Sequence, residues 1–542
     1  MRHTRELALA LIGLAVLGAA AYGSHVADGG FYSDDWANAD LYRAFGHDYG
    51  DTAAASRFIL GSKPLLGYLL PIPHAIFGTD PEGHLALAVV LGVLTAGCAY
   101  AALRVLGLDR LASGSIAGLT LLFPWSDSLR LWPTASLNSV AICLYLLGLI
   151  LALKGLERPG RAGIAMHIAG VCLYVASILT YEVTWAVALA SVCLYAWRSS
   201  WRTALRRWPL DILGVGAAVA YSASNTIRPI SPLHDQIAAI PEMARGAATL
   251  LANALVPLGT SHAFVGVAIL AIVGASAWYL RRGRPTPAIQ AEIRTWLSIT
   301  AGAALLVAAA YLVFLPSQGW DPLGGGLTNR INALAAIPMC ALVYAIVSLL
   351  STLVVSQTRG GIGLIRALSV GAAALIAIGY LVKLDADKGA WARATVEQER
   401  VLAALEALPE LPPAATVYAG GFPGQTAQAV PVFSDPWSLN SAARIRRSSR
   451  TLRAYPVYPG ATFQCTRDGV EPTSLPSPGG PLNALDVPGP LRYPPFYSGP
   501  DRGTEYGKAV MLFVPTRTRI RISSNAECRA KLGPLLSKPA GG

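Results

Sequence analysis

Lys63-Pro64-Leu65-Leu66-Gly67-Tyr68-Leu69-Leu70-Pro71-Ile72-Pro73-His74-Ala75-Ile76-Phe77-Gly78 is apolar but short, and Pro64, Pro71 and Pro73 interrupt it. A helix needs about 20 apolar residues to cross a bilayer, and an internal proline removes a backbone donor. Whether this stretch spans decides the side on which every later loop falls. If it does not span, Arg104, Arg110, Lys154, Arg158, Arg161, Arg198, Arg202, Arg206, Arg207, Arg281, Arg282, Arg284, Arg294, Arg359 and Arg366 all share the side of Arg2 and Arg5. The opposite loops, longer in total, then hold only Arg43, Arg57, Lys63, Arg130, Arg228, Arg245 and Arg330. Counting it as a span scrambles this sorting and breaks the positive-inside rule. It therefore reads as a helix lying along the outer surface, with the N-terminus cytoplasmic and everything after Leu384 outside.

Composition supports a polytopic membrane protein. Of 542 residues, 53% are hydrophobic and 14% charged, and mean hydropathy is +0.46, too apolar for an ordinary soluble domain. The net charge of +12 is spread over short loops, not gathered into a basic domain, so nucleic acid is not an expected partner.

Glu6 to Tyr22 reads as a retained first span. Further spans are expected at 85–106, 113–124, 134–153, 210–226, 263–280, 296–315, 333–352 and 367–384. Residues 163–197 are too long for one crossing and divide at Thr180-Tyr181-Glu182, which brings the total to about eleven. Amphipathic helices are expected at Asp35 to Phe45 and Gln236 to Leu255. The cytoplasmic loops are short, leaving little room for a nucleotide-binding domain, and no Walker A sequence is present, which argues against a pump driven directly by ATP.

Just past the first span stands Ser33-Asp34-Asp35-Trp36. Adjacent carboxylates repel and each prefers water, so such a pair at a membrane boundary points to use. The same topology puts Ser126-Asp127-Ser128 with Arg130, Tyr181-Glu182, Asn225 with Arg228, and Asn329-Arg330 behind Gly324-Gly325-Gly326 on that face. Trp125, Trp132, Trp185 and Trp320 near the boundary read as an aromatic belt, one of which is able to stack on a sugar.

The tail, 385–542, reads as a small extracytoplasmic α/β domain following the membrane domain, 1–384. Lys388 to Leu408 is expected to be helical and to end at Pro409. Strands are expected at Thr416 to Ala419, Val430 to Phe433, Ala509 to Val514 and Arg517 to Ile522, with loops over Pro456 to Pro500. Cys98, Cys143, Cys172, Cys193 and Cys340 lie in apolar runs, where a thiol packs as a small hydrophobe. Cys465 and Cys528 lie in the tail, where an oxidising compartment allows a disulfide.

An Asp-Asp-Trp directly after the first span, followed by a proline-broken surface segment and a span from His84, resembles the GT-C superfamily of membrane glycosyltransferases. The likeness is to bacterial enzymes of the protein mannosyltransferase and aminoarabinose transferase groups and covers roughly Met1 to Leu384. It implies hexosyl or pentosyl transfer, with inversion, from a polyprenyl-phosphate donor to a lipid, glycan or protein hydroxyl outside the cytoplasmic membrane of a bacterium. Asp34 or Asp35 would be the general base. Arg330 would hold the leaving phosphate beside Asn329, with Arg228 and Arg130 as alternatives, and Tyr181-Glu182 would bind sugar or acceptor. No cofactor is required; a divalent cation, Mg or Mn, if used, would sit on Asp34 and Asp35. The competing classes are a transporter or lipid-linked-sugar flippase, marked by ionisable residues at mid-depth, and a non-catalytic envelope scaffold.

Overall fold

The computed structural model describes residues 2–226, 231–259, 262–281, 286–316, 320–358, 361–474 and 503–535. Among these, eight helices are long and apolar enough to cross a membrane: Thr4–Asp28, Pro81–Leu106, Pro133–Glu157, Gly160–Thr180, His262–Arg281, Pro287–Leu312, Ala336–Thr358 and Ile362–Glu406. The other three expected spans are helical but fall short of that standard. Arg110–Leu122 has only 13 residues. The segment after Glu182 breaks at Ser191 into Trp185–Ala190 and Val192–Arg198. Trp201–Ser224 carries Arg202, Arg206, Arg207 and Asp211 in its first half and encloses Pro209.

The stretch 63–78 folds as two short helices, Pro64–Leu69 and Pro71–Phe77, each opened by a proline at its first turn. Proline is tolerated there because that N–H would be unsatisfied in any case. Neither half is long enough to cross a bilayer. With Asp34–Ala44 and Tyr49–Ile59 they form a helical layer between the first two long helices.

Small residues set the closest packing. In the hairpin of Pro133–Glu157 and Gly160–Thr180, a Cβ on Gly148 would stand 2.7 Å from the Gly170 carbonyl, and one on Gly155 would stand 2.8 Å from that of Gly163. Glycines seven apart on each helix thus let the backbones meet, the small-residue packing that substitutes for hydrophobic drive between helices in lipid.

The last long helix corrects an expectation. Lys388 to Leu408 is not a separate helix but the continuation of the span at 367–384, in one element, Ile362–Glu406, of 45 residues. At 1.5 Å per residue it is about 68 Å long, more than twice a hydrocarbon core of about 30 Å. The expected domain boundary at 384/385 falls within it. Its upper half carries the C-terminal domain over the layer that follows the first helix: Trp391 is buried with its ring 4.5 Å from that of Tyr32.

The C-terminal domain is built on a four-stranded sheet in the order Arg453–Val457, Thr416–Gly420, Ala509–Phe513, Thr518–Ile522. The first two pairs are parallel and the last antiparallel. A parallel pair needs a crossover, and the helix Pro436–Arg446 provides it between Thr416–Gly420 and Arg453–Val457. Part of the expected loop from Pro456 to Pro500 is a hairpin, Thr462–Cys465 with Gly469–Ser474; residues 475–502 of that loop lie outside the described residues. Val430–Pro431 pairs with Gln425–Ala427 apart from the main sheet. A disulfide joins Cys465 to Cys528, fastening the hairpin to the helix Asn525–Leu532.

Candidate functional site

The helix Asp34–Ala44 starts at Ser33, whose φ of 46° lies in the sparsely populated left-handed region. The two carboxylates that follow have different surroundings. Asp35 is 1% exposed. Its Oδ2 accepts from the Tyr32 backbone N–H at 2.8 Å, and its Oδ1 accepts from the Thr134 N–H at 2.7 Å and hydroxyl at 2.5 Å. Burial pushes the Asp35 carboxyl up to about 7, against the Thr134 and Tyr32 hydrogen bonds. It ties the turn to the segment after Trp132, whose indole N–H donates to the Tyr32 carbonyl at 3.1 Å.

Asp34 is half-buried and lines a cleft of about 360 Å³. One of its oxygens, Oδ1, accepts from the Trp437 indole N–H at 3.0 Å. Lys63, Tyr181, Glu182, Trp132, Trp320 and Arg330 share the cleft, and Leu60, Leu66, Leu70, Val313 and Phe314 give it apolar wall.

Arg330 stands between two indoles, its guanidinium carbon 5.2 Å from the Trp132 ring centre and 5.4 Å from that of Trp320. Cation–π contact holds such a group without satisfying its N–H donors, and no salt bridge engages it among the described residues. Across the cleft, Lys63 Nζ lies 3.1 Å from Glu182 Oε1 and 4.6 Å from the Tyr181 ring centre. Glu182 Oε2 is buried with no hydrogen-bond partner among the described residues.

The structure therefore brings Asp34, Tyr181, Glu182 and Arg330 to one cleft and leaves three expected site residues out of it. Asp35 has both oxygens engaged, by Tyr32 and by Thr134. Among the described residues, no group of three or more His, Cys, Asp or Glu is placed to hold a metal ion. Asn329 precedes Arg330 in the 3₁₀ helix Gly326–Asn332, where successive side chains point about 120° apart. Its Nδ2 donates to Asp127 Oδ1 at 2.6 Å, and its Oδ1 accepts from the Ser128 N–H at 3.2 Å. Arg130 is buried beneath the site, donating to the Phe123 carbonyl at 2.7 Å and the Tyr22 hydroxyl at 3.1 Å. A cation there meets the carbonyl end of the helix Arg110–Leu122, where the helix dipole favours it. Arg228 lies outside the described residues.

Residues that sequence reasoning did not assign to the site stand in the cleft or beside it. Lys63 counted only as a loop charge, and Trp132 and Trp320 as belt aromatics, one of the belt able to stack on a sugar. Asp435 and Trp437 lie in a tail without a recognisable motif. Asp435 is buried; its Oδ2 accepts from the Ser33 hydroxyl at 2.6 Å. Burial raises its carboxyl to about 6, the Ser33 hydrogen bond opposing and the charge of Asp34 adding to the rise.

Asp127, buried beneath Asn329, gives a test of this electrostatic picture. Burial and then the charge of Asp387 push its carboxyl up to about 8, against the hydrogen bond from Asn329. A raised folded value favours the protonated form, so its contribution to stability is complete below the unfolded value and is lost as pH rises through about 8. Asp127→Asn, which cannot ionise, is expected to gain thermal stability relative to the native chain between about pH 5 and pH 9. Parallel melting profiles of the two proteins across that range would contradict it.

No family model matches the chain, and no curated protein matches it. Among solved structures it is similar to ArnT from Cupriavidus metallidurans. The apo state aligns at 13% identity and TM-score 0.40 over 85% of this chain and 87% of that one. The form bound to undecaprenyl phosphate aligns at 14% identity and TM-score 0.42 over 83% and 86%.

Proposed function

We propose that this chain is a GT-C-type membrane glycosyltransferase that moves a sugar from a polyprenyl-phosphate donor to an acceptor hydroxyl on the outer face of a bacterial cytoplasmic membrane. The observation that carries this reading is the makeup of one cleft. A half-buried carboxylate at Asp34, a guanidinium between two indoles at Arg330, and apolar wall from Leu60 to Phe314 stand together. An amphiphile with a lipid tail, a phosphate and a sugar asks for these three surfaces.

In the reaction, the acceptor oxygen attacks the anomeric carbon while Asp34 takes its proton. The bond from that carbon to the phosphate oxygen breaks, and the polyprenyl phosphate leaves with the electron pair. Its growing charge falls to Arg330, whose flat fork suits phosphate oxygens. A single displacement of this kind inverts the anomeric centre. Tyr181 and Glu182 face the sugar or acceptor, and Trp132 or Trp320 offers a stacking surface. Asp35 fixes the turn and takes no proton from substrate.

The test is transfer of labelled sugar from polyprenyl-phosphate donors by purified chain in proteoliposomes, with a panel of lipid, glycan and peptide acceptors. Label joined to acceptor supports the reading. One observation favours a second reading, a transporter: His167 and Asp211, both 0% exposed, pair at 3.1 Å between Gly160–Thr180 and Trp201–Ser224, and ionisable residues at depth mark translocation paths. Label carried across the bilayer still on its lipid would favour that reading.

A further inference from the structure

The C-terminal domain does more than stand beside the membrane helices. Its helix Pro436–Arg446 runs along Asp34–Ala44, and polar groups pair at several points between these elements and their flanks. Ser33 donates to Asp435 at 2.6 Å, Trp437 donates to Asp34 at 3.0 Å, Arg444 Nη1 lies 3.6 Å from Asp40 Oδ2, and Arg43 donates to the Ser449 carbonyl at 3.0 Å. Arg444 and Asp40 are 3% and 1% exposed. A buried ion pair of this kind fixes register between two elements, because displacing either partner strands a charge. The docking is therefore specific, and it ends at the first carboxylate of the acidic pair.

An Asp in the first turn of a helix has rotamer freedom, and a base must be held within hydrogen-bond reach of the proton it removes. The Trp437 indole N–H holds one Asp34 oxygen. The indole is held in turn by the helix that starts at Asp435, whose carboxylate accepts from Ser33, the residue immediately before Asp34. Domain and acidic turn thus grip each other on both sides of the bond that orients Asp34. The charged groups around Asp34 are Asp35 beside it in the chain, Asp435 from the C-terminal domain, and Arg330, Lys63 and Glu182 around the cleft.

We propose that the C-terminal domain supplies Trp437 as a positioning residue for the Asp34 base, so that the transfer site is shared between the membrane helices and this domain. The inference rests on the glycosyltransferase reading and goes further, since it assigns a catalytic role to a domain that carries no motif of its own.

The test is the labelled-sugar assay on the full chain in proteoliposomes, comparing native protein, Asp34→Asn, Trp437→Phe and Ser33→Ala. Trp437→Phe keeps an aromatic ring and removes the N–H donor. It is expected to lower kcat roughly tenfold, the scale of one hydrogen bond to a charged group, with KM for the donor within about twofold because Arg330 and the apolar wall are untouched. A merely structural role would lower the yield of folded protein and leave kcat per folded molecule unchanged. Ser33→Ala, which releases Asp435 and keeps Trp437, is expected to give a smaller fall in kcat, again without a change in KM; should Trp437→Phe not fold, this variant decides. If Asp34→Asn is inactive while Trp437→Phe and Ser33→Ala both turn over at the native rate, this inference falls and the glycosyltransferase reading stands. If Asp34→Asn transfers normally, the base assignment fails and this inference fails with it.

Discussion

In Asp34→Asn, sugar transfer is expected to fall by about 10²- to 10⁴-fold, the usual worth of a positioned general base. The amide still presents an oxygen to the Trp437 indole, so the turn keeps its shape, but it cannot accept the acceptor's proton. Donor binding should survive, because the proposed reading assigns it to Arg330 and the apolar wall. Asp35→Asn is expected to fail differently. Both Asp35 oxygens accept hydrogen bonds from N–H or O–H groups, and an amide there turns an NH₂ toward one of these donors. The penalty is about 1–3 kcal/mol of stability, the cost of an unsatisfied buried donor. Transfer should drop with the folded fraction and not per folded molecule. Rates normalised to folded protein, measured by size-exclusion of the detergent-solubilised variants, separate the two outcomes; equal loss per folded molecule in both would contradict the division of roles.

Replacing Arg330 is expected to have the next largest effect. On the proposed reading, Arg330→Ala removes the cation that would face the leaving phosphate, and such a group contributes about 10²- to 10³-fold in rate when its charge meets charge developing in the transition state. Arg330→Lys should recover only part of this. An ammonium keeps the charge but loses the planar fork that binds two phosphate oxygens and lies flat between Trp132 and Trp320. The check is kcat/KM for transfer together with direct binding of the donor to each variant. Near-native kcat/KM in Arg330→Ala would remove Arg330 from the chemistry and leave its indole pair a packing feature.

Much of the architecture was legible because it follows from rules that act locally. The prolines at 64, 71 and 73 broke one apolar segment into two short helices, and the sorting of Lys and Arg between loops gave the remaining segments a consistent order. Asp34-Asp35 stood out because paired carboxylates at a membrane boundary demand a reason, and the polar break at Tyr181-Glu182 marks one edge of the cleft. Helices that rely on tertiary burial were harder to place. Trp201–Ser224 holds Arg and Asp in its first half, and Ser191 interrupts the helix after Glu182, so apolar length alone marks both less sharply than the other long helices. In the C-terminal domain, abundant Pro and Gly hid the hairpin at 462–474, whose strands are set by pairing and not by composition.

The site was legible only at its local anchors. Asn329 and Arg330 are neighbours in sequence, yet a 3₁₀ turn sends one to Asp127 and the other between two indoles, a separation no spacing reveals. The carboxylates of Asp34 and Asp35 divide in the same way, because Asp35 is captured by Tyr32 and Thr134. Trp437 stands 403 residues from Asp34, and Lys63 reaches Glu182 only because the segment after it folds back over the cleft. Such contacts come from topology, and a single chain read in order carries no mark of them.

The most direct measurement is turnover by purified chain in proteoliposomes with labelled donor supplied on one face at a time, for native protein and Asp34→Asn. The account predicts that native protein joins label to acceptor only when the donor is on the face that carries the C-terminal domain, and that Asp34→Asn binds donor without transferring it. Native-level transfer by Asp34→Asn, or passage of intact donor across the bilayer with no label on acceptor, would contradict it.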